Sequence, residues 1–193
     1  MSDLPRSVFG YGSLVNAGTH DHARLRPATL HGWRRAWRQT EGRPTPYLTV
    51  ERVDGGAVPG AVADVADVAW SALDAREAGY ERHRVDAELR PGGAGVVVYA
   101  VARGLPGAAT GAIRLSYLDV VVQGMLRLHG EAGVADLFDR TEGWGPVLDD
   151  RAAPRYARAR RLSPKEARLT DAGLRRIGAV VLVDPDGVGR RAS

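Results

Sequence analysis

Apolar residues follow two regimes along this chain. As far as Val65 they come in short runs separated by glycine- and proline-rich breaks; from Tyr117 onward they recur at helical spacing. Ser7–Gly10 is a short apolar run closed by Gly10 and Gly12, and residues 30–39, 46–53 and 57–65 read as further extended segments. Asp54-Gly55-Gly56 predicts a hairpin turn between the last two, because glycine supplies the positive φ that such turns need. Next, Trp70, Leu73, Glu77 and Tyr80 lie at i, i+3, i+7 and i+10, which predicts one face of a helix, with Asp67 as its cap and Gly79 near its end. Residues 82–89 and 95–102 predict two more strands joined through Pro91-Gly92-Gly93.

In the second half, residues 117–129 carry Leu118, Val121, Val122, Met125, Leu126 and Leu128 at helical spacing, and residues 134–141 predict a second short helix. Ser163-Pro164-Lys165-Glu166 holds a complete helix start. Ser163 accepts from the amide three residues on, Glu166 reaches back, and Pro164 suits the first helical position. Strands first and helices later imply an α+β fold rather than a doubly wound sheet. From Asp184 the chain reads as a polar tail. No repeat or linker divides it, so the expectation is one domain over residues 1–193.

Composition narrows the function classes. With 193 residues, 44% of them hydrophobic and 26% charged, the chain resembles an ordinary folded protein able to enclose a core. There is no cysteine, which excludes disulfides, thiolate catalysis and cysteine-based zinc sites. The polar start, Met1 to Ser7, is not a secretory signal, and no apolar run is long enough for a membrane helix; a cytoplasmic setting is expected. The net charge is +4, but 27 basic residues, all arginine except Lys165, are scattered among acidic ones. That pattern argues against a phosphate-binding face and against nucleic acid as a partner. Trp33, Arg34, Arg35, Trp37 and Arg38 offer rings and charges that could stack on bases, yet Trp33 and Trp37 share one strand face and suit core packing better. His20 and His22 form a close pair without further ligands, a poor metal site.

Three segments carry candidate chemistry. Phe9-Gly10-Tyr11-Gly12-Ser13-Leu14 is a glycine-rich turn directly after a strand. Its glycines either serve turn geometry alone or let backbone amides approach an anionic ligand. It lacks the Gly-Lys-Ser/Thr end of a P-loop and, with Val15, the third glycine of a dinucleotide fingerprint; nor is Ser13 set in a nucleophile elbow. Glu77 shares its face with Trp70, Leu73 and Tyr80. It is either a partly buried carboxyl with a raised pKa, fit to move protons near neutrality, or a surface residue paired with Arg76 or Arg84. Tyr117 begins an apolar helix and either points its hydroxyl into a cleft or packs in the core.

Tyr11-Gly12-Ser13-Leu14, then Leu73-Asp74-Ala75-Arg76-Glu77-Ala78-Gly79-Tyr80, then Ser116-Tyr117-Leu118, in this order and spacing, resemble the γ-glutamylcyclotransferase-like family over about residues 8–125. Residues 130–183 look like a helical extension. The resemblance implies a small β-barrel-like sheet around a cavity and a reaction without metal or cofactor. In it the α-amine of a γ-glutamyl compound attacks its own γ-carbonyl and releases 5-oxoproline. It implies Glu77 as general acid/base, the 11–14 amides as the cradle of the glutamyl group, Tyr80 and Tyr117 as pocket walls, and Arg82 as a residue that orients Glu77 or a substrate carboxylate. The glutathione-specific branch has a tryptophan soon after its glycine turn; Val15-Asn16-Ala17-Gly18 stands here, so glutathione is not favoured over γ-glutamyl amino acids or amines. The alternative is a non-catalytic module that binds a small carboxylated ligand in the same cavity.

Overall fold

The structure, a computed structural model, describes residues 5–39, 44–101 and 111–184. Residue 102, read as the end of a strand, and the tail after Asp184 lie outside the described residues. The fold is α+β, with two sheets and three α-helices among the described residues.

A fully buried strand, β1 (Ser7–Gly10), runs through the centre of a six-stranded sheet. On one side it pairs antiparallel with the long β3 (Tyr47–Asp64); on the other it pairs parallel with β6 (Val96–Val101). The equally long β2 (Ala23–Arg38) follows β3 along its length and carries the short β5 (Leu89–Arg90) on its far edge. Beyond β6 lies β4 (Tyr80–Arg84), which completes a curled sheet of order β4-β6-β1-β3-β2-β5. Consecutive strands buried on both faces explain why Val8, Phe9, Val96, Val97 and Val98 read as unbroken apolar runs.

Asp54-Gly55-Gly56 is not a hairpin turn. Residues on both sides of it pair with the same strand: Leu30 with Val58, and Trp33 with Arg52. The two segments are therefore collinear in β3, and the extra residues form a bulge opposite Gly32. Gly55 uses its positive φ of 72° there, and Gly56 lies so close to the Trp33 carbonyl that a Cβ would meet that oxygen at 2.3 Å.

The helix predicted across Trp70 and Tyr80 is also shorter than its pattern. Helix α1 (Trp70–Arg76) ends at Glu77, which caps it with φ −94° and ψ 23°; Gly79 then turns at φ +100°, and Tyr80 already opens β4. The strand expected over 82–89 is split between β4 and β5, which pair with different neighbours.

The second half packs on the curled sheet. Helix α2 (Leu115–Arg140) is broken at Gly130, φ 66°, so the two helices read at 117–129 and 134–141 follow one another across a kink. Its residues Val121, Val122 and Met125 are fully buried in the same core as Phe9, Leu30 and Trp37. The capping box at Ser163 opens α3 (Pro164–Arg176), which packs on α2. A small parallel sheet, β7 (Ile113–Arg114), β8 (Val147–Asp149) and β9 (Val181–Val183), was not legible in the sequence.

Candidate functional site

The glycine turn leaves β1 and folds at once into a single 3-10 turn, Ser13–Val15, with Val15 and Asn16 amides donating to Gly12 and Ser13 carbonyls. Four neighbours fix it. Asn16, buried, donates to the Val120 carbonyl and to Gln123 on α2, both at 2.9 Å. Helix α2 comes close enough that a Cβ on Gly124 would meet the Val15 carbonyl oxygen at 2.7 Å. His20 contacts the Leu14 carbonyl at 3.0 Å through Nε2, and burial holds its pKa below the ordinary imidazole value. That gives His20 a structural task, and among the described residues no three potential metal ligands cluster. Arg35, 1% exposed, donates to the carbonyls of Tyr11 (3.1 Å) and Pro59 (2.6 Å). Burial brings its pKa down to about 10, well short of discharging it at neutrality.

Beside this turn lies an inner chamber of about 40 Å3, lined by residues 9–14, Leu48, Glu77, Tyr80, Tyr99 and Tyr117. An adjoining outer cavity of about 220 Å3 shares Ser13, Leu48, Glu77, Tyr80 and Tyr117 with it as wall residues. Glu77 thus sits at the junction of the two. Its side chain is 17% exposed and lies 3.2 Å from Arg76 Nε. Burial pushes its pKa up; Arg76 and then Arg158 pull the other way without cancelling it. Both sequence readings of Glu77 therefore hold in part: it is largely withdrawn from water and it has the Arg76 partner. Its position comes from the helix end and the Gly79 turn rather than from a continuous helical face.

The phenols around Glu77 are neutral hydrogen-bond donors. Tyr80 donates to the Leu48 carbonyl at 3.0 Å, and Tyr11 to the Tyr99 carbonyl at 2.6 Å. Burial raises the pKa of Tyr11, Tyr80 and Tyr117 above the ordinary phenol value, and nearby Glu77 adds to the shift in each. The Tyr117 hydroxyl lies over the turn, 2.5 Å from where a Cβ on Gly12 would be. Its ring is held edge-on by Trp37 and Tyr156, at 5.9 and 5.1 Å between centroids. Arg76 ties the parts together, donating to Ser13 Oγ (3.0 Å) and to the Thr19 carbonyl (2.9 Å).

Arg82 is placed elsewhere. Its guanidinium pairs with Asp74, donates to Tyr99 Oη at 3.0 Å and stacks 4.7 Å over the Trp70 ring. Arg82 is not among the residues that line the chamber or the cavity, and its guanidinium is paired with Asp74 rather than with Glu77. Strand alternation puts Tyr80 and Arg82 on one face of β4, but Arg82 is held by the helix side chains Asp74 and Trp70. Trp33 and Trp37 are 2% and 4% exposed and pack in the core, Trp37 also lining the outer cavity, so they do not form an open stacking face for bases. Residues that the sequence reading passed over are Tyr47, Tyr99, Arg114, Tyr156 and Arg158; the last two come from an irregular stretch with no periodic signal.

The sequence profile of the family described as γ-glutamyl cyclotransferase, AIG2-like, matches residues 8–114, which include the glycine turn and Glu77. The chain belongs to this family. Solved structures agree at the level of fold. A protein named γ-glutamyl cyclotransferase superposes with a TM-score of 0.59 at 15% identity, over 86% of this chain and 98% of its own. An uncharacterized protein from Homo sapiens gives 0.59 at 16% identity, over 86% and 98%. YkqA from Bacillus subtilis gives 0.51 at 18% identity, over 72% of this chain and 56% of its own. A comparison with curated proteins gives no match. The family profile ends at the start of α2, so Tyr117, Tyr156 and Arg158 reach the cavity from outside the matched region.

Proposed function

We propose that this protein is a γ-glutamyl cyclotransferase that releases 5-oxoproline from a γ-glutamyl amino acid, peptide or amine. The observation that carries the reading is the placement of Glu77, a largely buried carboxyl with a raised pKa at the junction of a small chamber and a larger cavity. Family membership supports it.

The chamber beside the glycine turn takes the glutamyl part, with the 11–14 backbone and the Tyr117 hydroxyl around it. Holding that chain in a bent rotamer brings its α-amine against its own γ-carbonyl, which supplies the near-attack geometry. Glu77 takes the proton that the α-amine must lose. The nitrogen then attacks, a lactam C–N bond forms, and the original γ-amide C–N bond breaks. Glu77 returns the proton to the departing nitrogen, so the enzyme ends as it began. A pKa raised toward neutrality suits a group that must both accept and give a proton. The neutral phenols of Tyr11, Tyr80 and Tyr117 keep the surroundings free of competing negative charge. Arg76 holds the turn and Glu77 in fixed relation. No step draws on a metal or cofactor.

The test is to incubate the protein with a panel of γ-glutamyl amino acids, peptides and amines and to follow 5-oxoproline by mass spectrometry. Release from at least one compound is expected. Saturable binding of these compounds with no 5-oxoproline would instead mark a ligand-binding module of the same fold.

A further inference from the structure

The outer cavity differs in character from the inner chamber. The chamber is walled by the glycine turn and phenols, whereas the cavity adds three arginines: Arg76, Arg114 and Arg158. Glu77 is the one acidic residue among its described walls, so the lining is cationic overall. Arg76 is committed, because it is nearly buried and occupied by Glu77, Ser13 and the Thr19 carbonyl. Arg114 donates to the Arg155 carbonyl through one nitrogen. Arg158 is exposed and, among the described residues, makes no hydrogen bond or ion pair through its head group; its interaction is the longer-range attraction to Glu77. Arginine presents a planar fork of donors that matches a carboxylate.

We infer that Arg158, helped by Arg114, forms a subsite for a carboxylate carried by the part of the γ-glutamyl compound that departs, so that the preferred leaving group is an amino acid with a free carboxylate rather than an amine. This rests on the reading of the site as a cyclotransferase centre. The geometry follows from it. With the glutamyl part in the chamber and the scissile amide at Glu77, the departing part has the outer cavity as its surroundings. A carboxylate there meets Arg158 and Arg114. An uncharged amide meets them without charge pairing, and a departing group that carries a second ammonium is repelled. Tyr156 and Trp37 supply flat apolar wall for the body of the leaving amino acid. Arg158 and Tyr156 lie beyond the family match, which ends at residue 114, so this selectivity belongs to this chain's second half rather than to the shared core.

The experiment measures kcat/KM for 5-oxoproline release from γ-glutamyl-alanine, from its C-terminal amide and from γ-glutamyl-putrescine. The acid is expected to exceed the amide by about tenfold, the scale of a hydrogen bond to a charged group, and the putrescine compound to be poorest. Raising the salt concentration should narrow the gap, since the cavity is open to solvent. In Arg158→Gln the acid-to-amide ratio should fall toward one, chiefly through KM for the acid. Arg24→Gln, which breaks a pair with Asp64 away from the cavity, should keep the wild-type ratio. Equal turnover of acid and amide by the wild-type protein, or a ratio that Arg158→Gln leaves untouched, would overturn the subsite while leaving the cyclotransferase reading in place. No 5-oxoproline from any of the three would overturn the subsite, and none from the wider panel of γ-glutamyl compounds would remove the cyclotransferase reading as well.

Discussion

At Gly12 a side chain has nowhere to go. A Cβ there would lie 2.5 Å from Tyr117 Oη, and the Tyr117 ring is wedged between Trp37 and Tyr156, so the phenol cannot simply swing aside. This close approach, rather than a positive φ, is what requires glycine: Gly12 has φ −115° and ψ −134°. Gly12→Ala should therefore push the turn and the phenol apart, and kcat/KM for 5-oxoproline release should fall by about 10- to 100-fold, as for other small displacements of a reacting group. The double variant Gly12→Ala/Tyr117→Phe removes the clashing oxygen and should lose less than the sum of the two single changes. Strict additivity in that cycle would show that turn and phenol act independently.

Among the elements, the start of α3 gives the simplest energetic test. Ser163 Oγ accepts from the Glu166 amide at 3.3 Å, and Glu166 accepts from the Ser163 amide at 2.6 Å, so two otherwise unpaired amides are served at once. Ser163→Ala should destabilise the fold by about 1 kcal/mol in denaturant unfolding, with the slope unchanged. A stability equal to wild type would show that the end of α3 is held by other contacts. This cap was legible from four residues because its chemistry is local. The glycine turn and Glu77 were legible for a similar reason, since motif spacing carried them. Longer-range features were not. The Asp54-Gly55-Gly56 signal is read identically whether the flanking strands pair with each other or with a third strand, and only the register with β2 decides for a bulge. Helical periodicity runs through Trp70, Leu73, Glu77 and Tyr80, although the helix ends at Arg76 and the chain turns at Gly79; Trp70, Leu73 and Tyr80 still gather because β4 starts beside the helix end. Strands β7, β8 and β9 span two or three residues each and pair only with distant segments, so no local pattern announces them. The partners of Arg82, Asp74 and Trp70, sit on a neighbouring element that sequence spacing does not place.

Taken whole, the molecule places a largely buried carboxyl with a raised pKa, Glu77, where two architectural halves meet. The curled sheet and its glycine turn supply the chamber, which α2 completes with Tyr117; the segment after β8 adds Tyr156 and Arg158 to the outer cavity. Helix α2 is integral to this core, because Val121, Val122 and Met125 pack with Phe9 and Trp37. Among the described residues no helix is long and apolar enough to cross a membrane. Burial raises the pKa of Glu77. A carboxyl with a raised pKa in the folded state costs stability once the pH passes from its unfolded value upward through the folded one. Glu77→Gln should thus melt no earlier than wild type at neutral pH. The most direct measurement is the pH profile of 5-oxoproline release by the wild-type protein alongside Glu77→Gln. Wild-type kcat/KM should fall on the acid side with an apparent pKa above the ordinary glutamate value of about 4.3. The variant, still folded, should lose about 100-fold or more of the activity. A folded Glu77→Gln protein that turns over substrate at the wild-type rate, with the same acid limb, would contradict the role of Glu77 as general acid/base.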